Sequence, residues 1–134
     1  MRIGVLREVV PGEKRVALVP ETVKRLVAKK HEVLVESTAG IASGASDDEY
    51  VKAGATIAPD AQAVYAGADV LLKVQAPTDA EIGKLRKDTT LVSFIYPLSS
   101  PELLQKLGAT KALDDEIETG LGEAVAAYRA SFLA

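Results

Sequence analysis

The sequence predicts an α/β domain, a three-layer sandwich built around a mostly parallel sheet. Three observations predict it. Short apolar runs alternate with amphipathic segments along most of the chain, which is the rhythm of βαβ units. The strongest runs are near-continuously apolar rather than alternating, as in strands covered on both faces. The chain's 134 residues are one domain's worth at roughly 100–200 residues per domain, so residues 1–134 read as a single domain.

The elements follow in order. Residues 2–6 form a compact strand, and residues 20–30 a helix that opens on Pro20 and spaces Val23, Leu26 and Val27 along one face. Residues 32–36 (EVLVE) are a second strand. Residues 46–53 read as a helix with a capping box, because Ser46 can cap and Glu49 can reach back to it. Residues 55–58 are a short strand, and Asp60 caps a helix over residues 61–66. Residues 70–74 (VLLKV) are the strongest central strand, apolar except for one lysine. Thr78 and Glu81 make a second capping box ahead of Ile82 and Leu85. Residues 90–96 (TLVSFIY) are another buried strand. Ser99 and Glu102, with Pro101 between them, open a helix through Leu103, Leu104 and Leu107 that Gly108 stops. Crossovers in such a sheet are right-handed. The plan is flavodoxin-like rather than a barrel, or Rossmann-like without the dinucleotide fingerprint.

The end of the chain is patterned differently. Residues 110–113 read as a final strand, and residues 114–119 (DDEIET) are acidic and poorly patterned. From Leu121 the spacing turns helical, with Leu121, Val125, Tyr128 and Phe132 on one face. A helix over residues 121–134 either packs back on its own sheet or leads toward a second domain or partner chain.

Composition excludes several classes. The chain has 16 Lys+Arg against 19 Asp+Glu, a net charge of −3, which argues against the basic patch that nucleic acid or a membrane surface requires. There is no cysteine and one histidine, His31, so disulfides, thiolate nucleophiles and a multi-histidine metal site are excluded. No Ser–His–Asp arrangement suggests itself, and His31, between Lys30 and a strand start, reads as solvent-facing. No apolar run approaches the ~20 residues of a bilayer span, and Arg7 and Glu8 interrupt any leader-like stretch. The expectation is a soluble, cytoplasmic domain without direct membrane insertion.

Candidate chemistry concentrates in two places. Arg7, Glu8, Glu13, Lys14 and Arg15 follow the first strand, and ligands bind at the carboxyl ends of strands in open α/β sheets. Arg15 there can clamp a small carboxylate through two parallel bonds. The alternative is an ordinary solvated loop. Lys73 sits within an apolar strand, so its ammonium must snorkel, pair with an acid or face a cavity. It is either a pocket lysine sharing a cleft with Arg15 or a strand-end lysine reaching solvent. The run GLGEAV at residues 120–125 imitates a dinucleotide fingerprint but follows an acidic segment rather than a strand. Gly40 and Gly44 are spaced for a turn.

Residues 4–30, GVLREVVPGEKRVALVPETVKRLVAKK, resemble the N-terminal signature shared by alanine dehydrogenase and the alpha subunit of proton-translocating NAD(P) transhydrogenase. Gly4, Glu8, Glu13, Arg15, Val16, Ala17, Pro20, Val23 and Leu26 fit that pattern. Leu6 and Lys30 depart from it, standing where the family usually has Pro and Gly. The likeness continues through VESTAGIASGASDDEYVKAGATI, VLLKVQAP and TTLVSFIYPLSSPELLQKL, covering roughly the first 110 residues.

The resemblance implies that Arg15 and Lys73 match the positions that bind the substrate carboxylate and carbonyl in alanine dehydrogenase. Those enzymes place a His near residue 96 for proton transfer, whereas this chain has Tyr96-Pro97, similar to the aromatic-Pro of the transhydrogenase alpha subunit. The transhydrogenase reading is therefore preferred, with hydride transfer between NAD(H) and NADP(H) as the parent reaction. It implies partners too: a membrane-embedded subunit, an NADP-binding domain, and either a second copy of this chain or a Rossmann domain to pack against. The family's nicotinamide-contacting segment, rich in Arg, Gln and Asp, is replaced by residues 114–123, which contain neither Arg nor Gln. The expectation is a domain that binds no NAD or NADP by itself, holds no metal and carries no catalytic residue of its own. A self-contained scaffold or dimerisation module, and a small-carboxylate half-site built on Arg15 and Lys73, are the alternatives.

Overall fold

The computed structural model describes residues 1–96 and 101–110. Its elements run β1 (Arg2–Val5), α1 (Pro20–Ala28), β2 (Glu32–Glu36), α2 (Asp47–Lys52), β3 (Thr56–Ala58), α3 (Ala61–Gly67), β4 (Val70–Leu72), α4 (Asp79–Ile82), β5 (Thr90–Val92) and α5 (Pro101–Thr110), with a 3-10 turn at Ile41–Ser43. The five strands form one parallel sheet in the order β3-β2-β1-β4-β5. The expected α/β fold with a parallel sheet is what forms. Of the two common doubly wound orders this is the Rossmann-like one, because β3 extends outward from β2 and β4 takes the place beside β1.

Each face of the sheet buries its own core. Val5, Val33 and Val35 pack with Val23 of α1 and Tyr50 of α2 on one face. Leu6 and Leu71 pack with Val64 and Tyr65 of α3, Leu85 and Leu107 of α5 on the other. With aromatics at 4% of the chain, the core is aliphatic, and among the described residues Tyr50 is the one fully buried ring, its hydroxyl donating to Leu18 O at 2.7 Å. Gly4 lies where α3 crosses β1. A Cβ there would stand 2.7 Å from both Ala68 Cβ and Val64 Cγ1, so only glycine admits this packing distance.

Local signals decide the helix starts. Both capping boxes form, Ser46 with Glu49 and Thr78 with Glu81, each satisfying amides that the helix start leaves open. Asp60 accepts from Ala63 N at 2.8 Å. α1 ends at Ala28, short of residue 30, because Lys30 turns left-handed at φ 64. There Lys30 N donates to Val27 O and His31 N to Leu26 O, the paired bonds of a Schellman cap. β4 ends at Leu72 instead of residue 74, since the Val74 amide leaves the ladder for a side-chain carboxylate, Glu8 Oε1, at 2.6 Å. β5 likewise stops at Val92. Gly108 does not end α5, which continues to Thr110; glycine inside a helix costs only about 0.5–1 kcal/mol relative to alanine. Thr110 is therefore helical and does not open a strand. Residues 111–113, the acidic segment and the helix expected over residues 121–134 lie outside the described residues, as does Ser99.

Candidate functional site

The chain reverses direction across the sheet between β1 and β4. From β1 the sequence winds outward through β2 and β3, and β4 and β5 then add on β1's other side. At such a switch point the loops leaving two adjacent strands part, and the crevice outside their carboxyl ends is the usual ligand site of an open α/β sheet. Residues 6–19 leave β1 here, and Lys73, Val74 and Gln75 leave β4.

Carboxylates stitch the two loops together. Glu8 turns back over β4, its Oε1 accepting from Val74 N at 2.6 Å and its Oε2 from Gln75 N at 3.3 Å. Glu13 accepts from the Gln75 side-chain amide at 2.6 Å and takes the Arg15 fork through Nε at 2.8 Å and Nη2 at 2.6 Å. The Arg15 bonds, then the Gln75 bond, hold the Glu13 carboxyl well below the usual carboxylate range. Glu13 in turn raises Arg15, and the nearby Tyr96 and Glu8 add to that shift. Glu36, at the end of β2, accepts from Arg7 N at 2.8 Å.

Lys73 is the deepest charge. Its side chain is 1% exposed, with Nζ 2.5 Å from Glu81 Oε1 and 3.8 Å from Glu8 Oε2. The reading in which this lysine reaches solvent is thereby overturned. The apolar strand directs the side chain under the sheet end, and two acids neutralise it there. Burial pushes the Glu81 carboxyl up, but the bonds from Lys73 and Thr78 outweigh it and the net direction is down. Tyr65, from α3, is raised by burial and by the nearby Glu81 and Glu36 carboxylates.

A cavity of about 460 Å³ opens over this floor, with Arg15, Val16 and Ala17 on one wall and Lys73, Val92 and Phe94 on the other. Arg15 and Lys73 thus line one cavity. A second hollow of about 270 Å³ lies on the other side of Arg15, toward Arg7 and the Thr38–Ile41 turn. His31 is half-buried ahead of β2, at the amino edge of the sheet away from the cleft. Glycines 40 and 44 serve a turn, Gly44 at φ 86 closing the 3-10 segment. Sequence reasoning placed Lys73 and Arg15 as candidates but read Glu81 as a helix cap alone and passed over Glu36, Tyr65 and Gln75. A carboxylate eight positions after a strand lysine was the available signal for Glu81.

Among the described residues no group of three His, Cys, Asp or Glu side chains forms a metal site, and no helix is long and apolar enough to cross a membrane. The turn after β1 does not fit a dinucleotide. A pyrophosphate needs a short glycine turn running straight into a helix N-terminus. Here residues 6–19 separate β1 from α1, and Gly12 is their one glycine.

Comparison with known proteins agrees with this architecture. Residues 4–119 match the family model described as "Alanine dehydrogenase/PNT, N-terminal domain". The chain belongs to that family. It is 38% identical over 120 residues to the NAD(P) transhydrogenase subunit alpha of Cereibacter sphaeroides, covering 87% of this chain and 23% of the relative. It is 40% identical over 107 residues to alanine dehydrogenase 1 of Staphylococcus aureus strain bovine RF122, covering 80% and 28%. Among solved structures, an L-alanine dehydrogenase superposes with a TM-score of 0.79 at 35% identity, over 82% of this chain and 30% of that one. A transhydrogenase from Sinorhizobium meliloti superposes with a TM-score of 0.77 at 34% identity, over 83% and 33%. The chain therefore spans a quarter to a third of the relatives it matches.

Proposed function

We propose that this domain forms one wall of the cleft in a transhydrogenase alpha-type subunit, facing a separate dinucleotide-binding domain that carries NAD(H). The parent reaction on this reading is hydride transfer between NAD(H) and NADP(H), coupled to proton translocation by membrane-embedded partners, with this domain on the cytoplasmic face. The observation that carries it is Tyr96, near enough to Arg15 to act on its charge, at the position where alanine dehydrogenases place a histidine. A phenol does not supply the near-neutral acid–base group that an imidazole does, and His31 is remote from the cleft. The exposed Val92, Phe94 and Tyr96 side chains are the face we assign to the second domain, or to a second copy of this chain.

By itself this chain is expected to bind no NAD(H), because the long segment after β1 is not the short glycine turn into a helix that a pyrophosphate needs. Titration of NADH with the protein, followed by nucleotide fluorescence, should show no saturable enhancement. Saturable binding would overturn this part of the reading.

One observation favours a second reading, a half-site for a small 2-oxo carboxylate. Arg15 and Lys73 line the same cavity, and the buried ammonium has N–H groups to spare. Pyruvate at millimolar concentration should then shift the amide resonances of Lys73 and Arg15, and an unchanged spectrum would exclude it.

A further inference from the structure

Glu81 does two things at once. Its Oε2 accepts from Thr78 N at 2.8 Å and from Thr78 Oγ1 at 3.0 Å, closing the N-terminal cap of α4. Its Oε1 accepts from Lys73 Nζ at 2.5 Å. The other capping box provides a comparison within the same chain. In α2, Glu49 also takes both the cap amide and the cap hydroxyl of Ser46 on a single oxygen, Oε2, at 2.7 and 2.9 Å. One carboxylate oxygen therefore completes a capping box in this protein. Glu49 sits on an exposed helix start, whereas Glu81 is 9% exposed and spends its second oxygen on the ammonium.

That ammonium has more donors than partners. It carries three N–H groups, of which the contact to Glu81 is within hydrogen-bond length, and Glu8 stands off at 3.8 Å. A side chain 1% exposed that lines a cavity with unspent donors is suited to an oxygen acceptor on a ligand. The acids that face it are Glu8 from the loop after β1 and Glu81 from α4, and Tyr65 of α3 lies near Glu81 and Glu36.

We propose that Glu81 is the positioning residue for Lys73: anchored to the α4 cap through one oxygen, it holds the ammonium with the other, so that the remaining N–H groups meet a carboxylate or carbonyl oxygen in the cavity. The cap fixes the acid, and the acid fixes the lysine. The ligand part rests on the half-site reading above; the hold on Lys73 does not.

The test uses 15N spectra of the lysine ammonium groups in the 134-residue chain, with the Lys73 signal assigned by its loss in Lys73→Met. In the wild type the Lys73 ammonium hydrogens should exchange slowly with water. Glu81→Gln keeps an oxygen for the Thr78 amide but loses the charge, and should speed that exchange roughly tenfold or more, as expected for losing a hydrogen bond to a charged group. Glu81→Asp, charged but shorter, should recover part of the protection, and Thr78→Val, which keeps the amide but loses the hydroxyl to Glu81, should loosen α4 amides and speed Lys73 exchange less than Glu81→Gln does. Exchange in Glu81→Gln equal to the wild type, with α4 amides unchanged, overturns the proposal, as does full protection in both Glu81 variants. Added pyruvate should shift the Lys73 signal in the wild type and less so in Glu81→Gln. No response in the wild type would sink the half-site reading and leave the exchange result to judge Glu81.

Discussion

Replacing Lys73 with methionine should invert the pH dependence of stability. Lys73 compensates two buried acids, Glu81 at 2.5 Å and Glu8 at 3.8 Å, whose side chains are 11% and 3% exposed. Removing one partner of a buried pair typically costs about 3–5 kcal/mol, because the other charge is left uncompensated. Glu8 keeps its two backbone amides and Glu81 its cap, so the lower end, about 3 kcal/mol at pH 7, is expected. At a urea slope of about 2 kcal/mol/M, the unfolding midpoint falls by about 1.5 M. The sequence contains no tryptophan, so far-UV circular dichroism is the practical signal.

The sign of the pH dependence follows from Glu81. In the wild type its folded pKa lies below the unfolded value. Its stabilisation is therefore present above the unfolded pKa and is lost as pH falls through the folded one. In Lys73→Met, burial is no longer outweighed, and the folded pKa rises above the unfolded value. The variant is then weakest near neutrality and gains stability as pH falls toward 5, while the wild type gains nothing over that interval from this group. Parallel wild-type and variant profiles between pH 7 and 5 would refute the reasoning, and so would a loss below about 1 kcal/mol, the level of an exposed ion pair.

Three further outcomes follow from the fold. Lys30→Gly should stabilise the domain by about 1 kcal/mol, since a left-handed conformation costs an L-residue roughly 1–2 kcal/mol that glycine avoids; the urea midpoint reads it, and a decrease would count against the cap geometry. Gly4→Ala should cost about 1–3 kcal/mol by overpacking α3 against β1, seen as a lower thermal midpoint, and a neutral result would mean that α3 can move away. Tyr50→Phe strands the Leu18 carbonyl and should cost about 1 kcal/mol, with amide exchange quickening in the segment before α1 if that bond anchors it.

Most of the fold was legible because its signals are local. The spacing of Ser46 to Glu49 and of Thr78 to Glu81 announces helix starts that tertiary packing leaves alone. The apolar run at residues 70–74 announces a buried strand. What local patterning missed are the ends of elements where a distant group intervenes. The Val74 amide leaves the sheet because Glu8, 66 positions away, accepts it, and nothing near Val74 in the sequence says so. The site divided the same way. A lysine in an apolar run is conspicuous and Arg15 stood out by its charge, but Lys73's principal partner was hidden behind a role it also performs, the α4 cap. Glu36 and Tyr65 looked like strand and helix residues because only the parallel order of β2, β1 and β4 draws them together.

The central position of β1 has a consequence for how the domain assembles. The core that holds Val5, Val23, Val35 and Tyr50 is complete once the chain has reached β3, and its contacts are comparatively local. The opposite core and the whole cleft wait for β4, whose pairing joins Gly4 to Leu71. Contacts of such separation come late, since loop closure must precede them. The cleft is therefore the last part of the domain to acquire its shape. In an emerging chain β1 to β3 precede β4, and until β4 follows, Glu8 lacks the amides of Val74 and Gln75.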